Sequence, residues 1–102
     1  MTAPSTFEKT KAEKYTIAVE WLGQLPFSAT LSSCTVAARR MEDQSDATSD
    51  VLVSPTATIS GTQSRVTVYG GRAGQKYRLL FTAILSNAEI VEEAVYMLVR
   101  EY

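Results

Sequence analysis

Carboxylates are the residues of this 102-residue sequence best suited to metal chemistry, and they are concentrated in one stretch. Residues 42–50 contain Glu42, Asp43, Asp46 and Asp50 and no large apolar residue. A calcium-binding EF-hand loop needs carboxylates at alternate positions, a central glycine and a terminal glutamate. The spacing here is different and the glycine is missing. We therefore expect a solvated acidic loop, with no metal ion and no cofactor.

A second pair of carboxylates, Glu92 and Glu93, raises the possibility of acid–base catalysis. Adjacent residues of a strand point to opposite faces, so these two side chains cannot easily act together. The sequence contains no histidine, which excludes Ser-His and Cys-His mechanisms and the usual zinc sites. The one cysteine, Cys34, cannot form an intramolecular disulfide and is expected to be a small buried apolar residue. We predict no catalytic residue and no enzymatic activity.

Gly71-Arg72-Ala73-Gly74 has the Gly-x-x-Gly spacing of the KH loop, which holds a nucleic-acid backbone. That loop joins two helices, whereas strand-like sequence lies on both sides of this one. The formal net charge of −1 gives no excess of basic residues for nucleic acid or an anionic membrane. No apolar run approaches the roughly 18 residues of a membrane-spanning helix. A turn between strands is the better interpretation, and neither nucleic acid nor a membrane is expected as a partner.

The residues around this turn indicate the fold. Every second residue is apolar in 65–69 and again in 77–84, a period of two that is typical of two strands. The turn between them carries Gly70, Gly71 and Gly74, and Tyr77 follows three residues after the last glycine. This arrangement suits the tyrosine corner of immunoglobulin-like folds, in which the phenol bonds back to nearby backbone.

Other segments of the chain extend the all-β pattern. We predict strands over 15–21, from 29 or 30 to about 40 with a bulge at Ser32-Ser33, and over 51–53. Residues 89–100 are compatible with a helix or a strand, and their alternating valines favour a strand. The total is about seven strands in one immunoglobulin-like antiparallel β-sandwich, residues 14–102. It is preceded by a polar, flexible N-terminal arm, residues 1–13, which either frays or orders against a neighbouring subunit.

Aromatic residues are the candidates for contact with a partner. Trp21 ends the apolar face of the strand over 15–21, so core packing is its default role and a binding surface is the alternative. Tyr69 and Tyr96 are better candidates if their side chains face outward.

Three motifs resemble those of small structural proteins of tailed bacteriophages. They are Glu20-Trp21-Leu22, Leu31-Ser32-Ser33-Cys34-Thr35-Val36, and Tyr69-Gly70-Gly71-Arg72-Ala73-Gly74-Gln75-Lys76-Tyr77. The resemblance extends over roughly residues 15–100. It departs from the group at Val36, where a second tryptophan is usual, and at Ser86-Asn87-Ala88, which replaces a Thr-x-x-Gly hairpin.

The resemblance implies an immunoglobulin-like sandwich on a virion, as a head decoration protein, a head–tail connector or a tail accessory protein. It implies assembly with other phage structural proteins of the capsid, neck or tail, without catalysis or a cofactor. Many symmetric copies are expected, because multivalency amplifies weak contacts. The absence of a disulfide and of a signal peptide fits synthesis in the cytoplasm of the host bacterium. The alternative is an adhesion module that binds carbohydrate or protein on a phage tail or cell surface, which exposed aromatics lining one patch would support.

Overall fold

The fold is a two-layer β-sandwich, seen in a computed structural model that describes residues 5–21, 25 and 29–100. The break predicted after the strand over 15–21 lies largely outside the described residues. One sheet has the strand order β1-β7-β6-β3 and the other has the order β2-β5-β4. The predicted all-β sandwich of seven strands is confirmed. The elements are β1 Ser5–Thr10, β2 Tyr15–Glu20, β3 Leu31–Arg40, α1 Thr48–Val51, β4 Thr58–Ser60, β5 Gln63–Val68, β6 Lys76–Leu85 and β7 Ile90–Arg100.

The core lies between the two sheets, and every second residue of the strands contributes a side chain to it. Cys34, Val36 and Ala38 of β3 are buried and their neighbours along the strand are exposed, as predicted. A register shift between Leu31 and Ser33 confirms the predicted bulge. The ambiguous segment at the end of the chain is strand β7, paired antiparallel with β6 over nine positions. Alternating valines thus outweigh the helix preference of Glu and Ala, because one face of β7 is buried against the core.

The N-terminal segment corrects two predictions. Residues 5–10, expected to belong to a flexible arm, form strand β1, and β1 pairs with β7 in parallel rather than antiparallel orientation. Phe7 packs partly against the core and Lys9 is buried, whereas Thr6 and Glu8 are exposed. This is the alternation of a strand. The sequence conceals it because the buried position is occupied by a charged residue.

The end of the acidic loop and the strand predicted after it also differ from expectation. Thr48–Val51 form a single helical turn, α1, and Leu52 makes an isolated bridge to Val68 in place of the separate strand expected over 51–53. The Asp46 carboxylate accepts hydrogen bonds from the backbone N–H and the hydroxyl of Thr48, at 3.0 and 2.7 Å. A hydrogen bond from a backbone N–H to the side chain of an Asp two residues earlier is a common way to start a turn. No helix in the described part of the chain is long and apolar enough to cross a membrane.

Lys9 joins β1 to the glycine turn between β5 and β6. Its side chain is 1% exposed, and its ammonium group donates hydrogen bonds to the Thr10 and Gly70 carbonyl oxygens at 2.7 and 2.6 Å. Burial lowers the pKa of Lys9, and the charge of nearby Glu13 opposes this effect in part. Two carbonyl groups therefore stabilise an ammonium group that has lost its water.

The lowered pKa of Lys9 predicts a pH dependence that a Lys9→Met variant should lack. In the folded chain the pKa of Lys9 is lowered, whereas in the unfolded chain it has the ordinary lysine value of about 10.4. Between these two pKa values the unfolded chain binds more protons than the folded chain, so the free energy of unfolding rises with pH. The unfolding free energy of the wild type minus that of Lys9→Met should therefore increase in urea titrations from about pH 7 to pH 11. Tyr15, whose pKa is raised by burial and by Glu13, is present in both proteins and cancels in the difference. A flat difference would contradict the lowered pKa.

Candidate interaction surface

The predicted glycine turn has the geometry that its residues suggested. Gly70, Gly71 and Gly74 all have positive φ angles, of 59°, 89° and 80°. The Tyr77 phenol is buried, and its oxygen accepts a hydrogen bond from the backbone N–H of Arg72 at 2.9 Å. The phenol of Tyr77 thus bonds back to the backbone of the loop that contains the three glycines, and its role as a tyrosine corner stays a prediction.

Trp21 does not lie on a contact surface. Its side chain is 0% exposed, and the indole N–H donates a hydrogen bond to the Ser64 hydroxyl at 2.8 Å. The suggestion that Trp21 contacts a partner is therefore corrected. Trp21 is a core residue, which was its default interpretation. The reason is that Trp21 continues the inward-facing positions of β2 and finds a polar partner for its one donor.

The two tyrosines suggested as contact residues are half-buried and lie in different places. Tyr69 directly follows β5 of the three-stranded sheet, and its hydroxyl donates to the Ser49 carbonyl oxygen at 2.6 Å. Tyr96 lies in β7 of the four-stranded sheet, and the Lys76 ammonium group sits 5.0 Å from its ring centroid in a cation–π contact. Trp21, Tyr69 and Tyr96 consequently do not line one patch, which was the feature expected of an adhesion module.

Sequence reasoning missed the most conspicuous surface, the outer face of the four-stranded sheet. Leu79 and Phe81 are buried, so Leu80 points away from the core. Its direct neighbours across the two adjoining strands are Ala37 and Ala94. This row of three small or apolar side chains crosses the centre of the sheet on its outer side.

Further apolar side chains lie on the same side of the sheet toward both ends of β6 and β7. Ile84 and Ile90 are direct cross-strand neighbours and are 43% and 63% exposed. Thr82 and Glu92 lie between this pair and the central row, so the apolar side chains form two patches on one side of the sheet. Exposed apolar patches on a protein surface mark an interaction site more often than isolated exposed residues do. We call this set the apolar face: Ala37, Leu80, Ile84, Ile90, Ala94, Tyr96 and Leu98.

Basic residues border the apolar face. Arg39 and Arg78 occupy directly opposite positions on β3 and β6, next to the central row. Arg100 forms an ion pair with Glu8 on β1. Four basic and two acidic residues point outward from the described part of this sheet, although the whole chain has a net charge of −1. They are Lys76, Arg39, Arg78, Arg100, Glu8 and Glu92.

The outer face of the three-stranded sheet has a different character. Threonine and serine occupy half of its outward positions, and the Thr16 and Thr67 hydroxyl groups lie 3.1 Å apart in a hydrogen bond. Val53, which is 54% exposed, is the only large exposed apolar side chain beside this sheet among the described residues. The two faces of one small protein therefore offer very different surfaces to a partner.

The carboxylates and the thiol take part in local structure. Asp43 pairs with Arg40 and accepts hydrogen bonds from Ser45, and these contacts hold the pKa of Asp43 far below its ordinary value. Hydrogen bonds from Thr48 lower the pKa of Asp46. Burial raises the pKa of Cys34, which disfavours the reactive thiolate. No group of three or more acidic, histidine or cysteine side chains within residues 5–21, 25 and 29–100 is placed to hold a metal ion.

Glu92 and Glu93 face opposite sides of β7, as the strand assignment requires. Glu92 is exposed on the outer face, where it accepts a hydrogen bond from Thr82 at 3.4 Å. Glu93 is half-buried opposite Phe81 on the inner face. The two carboxylates therefore do not converge on one site.

These features define a small all-β protein with one apolar, basic-bordered surface suited to contact with another protein. Residues 9–98 match the family model described as podophage GP4 fiber-tail adaptor protein gp77, and the chain belongs to this family. It is thus a structural protein of a phage tail and a component of the virion. The predicted relation to tailed-phage structural proteins is confirmed at this level, and a structural adaptor family suggests a non-enzymatic role. A search among curated proteins found no match.

Proposed function

We propose that this chain is a non-enzymatic adaptor that binds another protein of the phage tail through the apolar face, and so helps to join fiber to tail. The observation that carries the proposal is the row formed by Ala37, Leu80 and Ala94, together with the exposed pair Ile84 and Ile90. Covering apolar surface contributes roughly 25 cal/mol per Å² removed from water, so such a face favours a partner over solvent.

The proposal includes an immunoglobulin-like form of the sandwich and several copies of the chain in each particle. The contact between Tyr77 and the Arg72 backbone supports the first, because it is the kind of bond a tyrosine corner makes. Multiple copies would let a face of modest area give stable attachment, since linked contacts add avidity. Synthesis in the host cytoplasm and contacts with capsid or neck proteins remain predictions.

A double variant of the apolar face tests the function. Leu80→Gln with Ile90→Gln keeps side-chain size and net charge while it makes the face polar. Its matched control is Thr67→Gln with Thr58→Gln, on the outer face of the other sheet. A phage that lacks the chain would be complemented with each version, and the chain in purified particles would be quantified by mass spectrometry.

We expect the apolar-face variant to be depleted from particles by about tenfold or more, which corresponds to a loss of roughly 1.4 kcal/mol of binding free energy. The control should be incorporated like the wild type. Far-UV circular dichroism and urea unfolding of the purified proteins would verify that both variants fold. Incorporation of the apolar-face variant at the wild-type level would contradict the proposal. Normal incorporation with lost adsorption to host cells would favour the adhesion module instead.

A further inference from the structure

We propose that the partner surface covered by the apolar face is acidic and places carboxylates against Arg39 and Arg78. This inference rests on the proposed function and adds to it the chemistry of the partner. It begins from the register of β3 and β6, which sets the two arginines directly opposite each other on the outer side of the sheet. Side chains in such positions have Cβ atoms about 4.5–5.5 Å apart, and like charges there repel.

The contacts of the two arginines leave this repulsion only partly offset. Arg39 donates a hydrogen bond from its guanidinium group to the Gln44 carbonyl oxygen at 2.9 Å and lies near the Asp46 carboxylate. Arg78 makes no ion pair with any described residue, and the nearest outward carboxylate on β7, Glu92, lies four positions from its partner Tyr96. No carboxylate of the chain bridges the two arginines, so a carboxylate of a partner protein could bind between them.

Guanidinium groups are well suited to this task. Each can take a carboxylate in a bidentate pair, and arginine loses less hydration than lysine on entering an interface. The neighbouring row of Ala37, Leu80 and Ala94 would exclude water from these pairs once it is covered, which strengthens them and reduces screening by salt. The matching partner therefore presents apolar side chains flanked by Asp or Glu.

The charge of the rest of the chain makes this face distinctive. Most carboxylates are outside the four-stranded sheet, at Glu13, Glu20 and Glu89 and in the loop over 42–50, of which only Asp46 lies beside Arg39. The outer side of the four-stranded sheet has twice as many basic as acidic residues. An acidic partner would be attracted to this face and repelled by the acidic loop. Electrostatic complementarity thus orients the chain on its partner as well as holding it.

The test measures binding of the purified chain to tails isolated from phage particles that lack it. The dissociation constant would be determined from about 50 to 500 mM NaCl, a range over which the screening length falls severalfold. The variants are Arg39→Gln with Arg78→Gln, and the control Arg65→Gln, which removes an exposed arginine from the outer face of the other sheet. A DNA duplex serves as a second probe.

We expect the double arginine variant to bind about 10–100-fold more weakly at low salt, with a smaller salt dependence than the wild type, and the control to match the wild type. Equal weakening by the control would indicate a general charge effect and overturn the inference, as would stronger binding to DNA than to tails. Wild-type binding by the arginine variant, with loss of binding by the Leu80→Gln and Ile90→Gln variant, would overturn the inference and leave the proposed function standing. Unchanged binding by both would overturn both.

Discussion

Replacement of Trp21 by alanine is expected to lower the free energy of unfolding by about 3–5 kcal/mol. Trp21 is the largest fully buried side chain among the described residues, so its removal leaves a cavity that small strand side chains cannot fill. It also leaves the buried Ser64 hydroxyl without the indole donor at 2.8 Å. The free energy of unfolding of a typical folded domain is roughly 5–15 kcal/mol, so this variant would lose much of its stability.

Urea titration followed by far-UV circular dichroism would measure this loss, since the variant has no tryptophan left for fluorescence. Ile90→Ala is the matched control, because it removes an apolar side chain that is 63% exposed. The control should change the unfolding free energy by less than about 0.5 kcal/mol. A Trp21→Ala protein within about 1 kcal/mol of the wild type would show that Trp21 does not organise the core.

The second large effect is expected at Gly71, where replacement by alanine should lower the free energy of unfolding by about 2–5 kcal/mol. The φ angle of 89° lies beyond the left-handed region that other residues adopt with least strain. In addition, a Cβ atom would lie only 2.8 Å from Val99 Cγ2 in the core. The backbone strain and the overpacking act together at this position.

Gly61 separates these two contributions. Its φ angle of 61° also needs the left-handed region, but a Cβ atom there would meet nothing within 4 Å. Gly61→Ala should therefore cost only about 1–2 kcal/mol. In urea titrations, Val99→Ala should reduce the cost of Gly71→Ala, because it removes the methyl group that clashes. Equal costs at Gly61 and Gly71 would mean that the contact with Val99 relaxes freely.

The sequence predicted the elements whose alternation is chemically plain. In β3 and β6 every buried position is apolar, so the period of two in the sequence matches the face that packs into the core. Strand β1 was concealed because Lys9 fills an inward position, and only the distant Gly70 carbonyl makes that burial acceptable. A contact across 61 positions in the chain cannot be inferred from local pattern.

The candidate surface was visible in part. Leu80 and Ile84 stand at the outward positions of β6 in the sequence itself, and an apolar residue in an outward position is a signal of contact. Their pairing with Ala37 and Ile90, and the pairing of Arg39 with Arg78, depend on strand order and register. Those are set by tertiary packing, which is why sequence reasoning turned to the aromatic residues instead.

The parallel pairing of β1 with β7 has a mechanical consequence. Ser5 lies beside Val95 and Thr10 beside Arg100, so tension that pulls β1 from its Ser5 end and β7 from its Arg100 end runs along both strands in opposite directions. The hydrogen bonds between the strands are then loaded in shear, and they must rupture together rather than open one at a time as in an unzipped hairpin. A component of a phage tail with this geometry resists stretching along its strands far better than peeling of one strand from the sheet's edge.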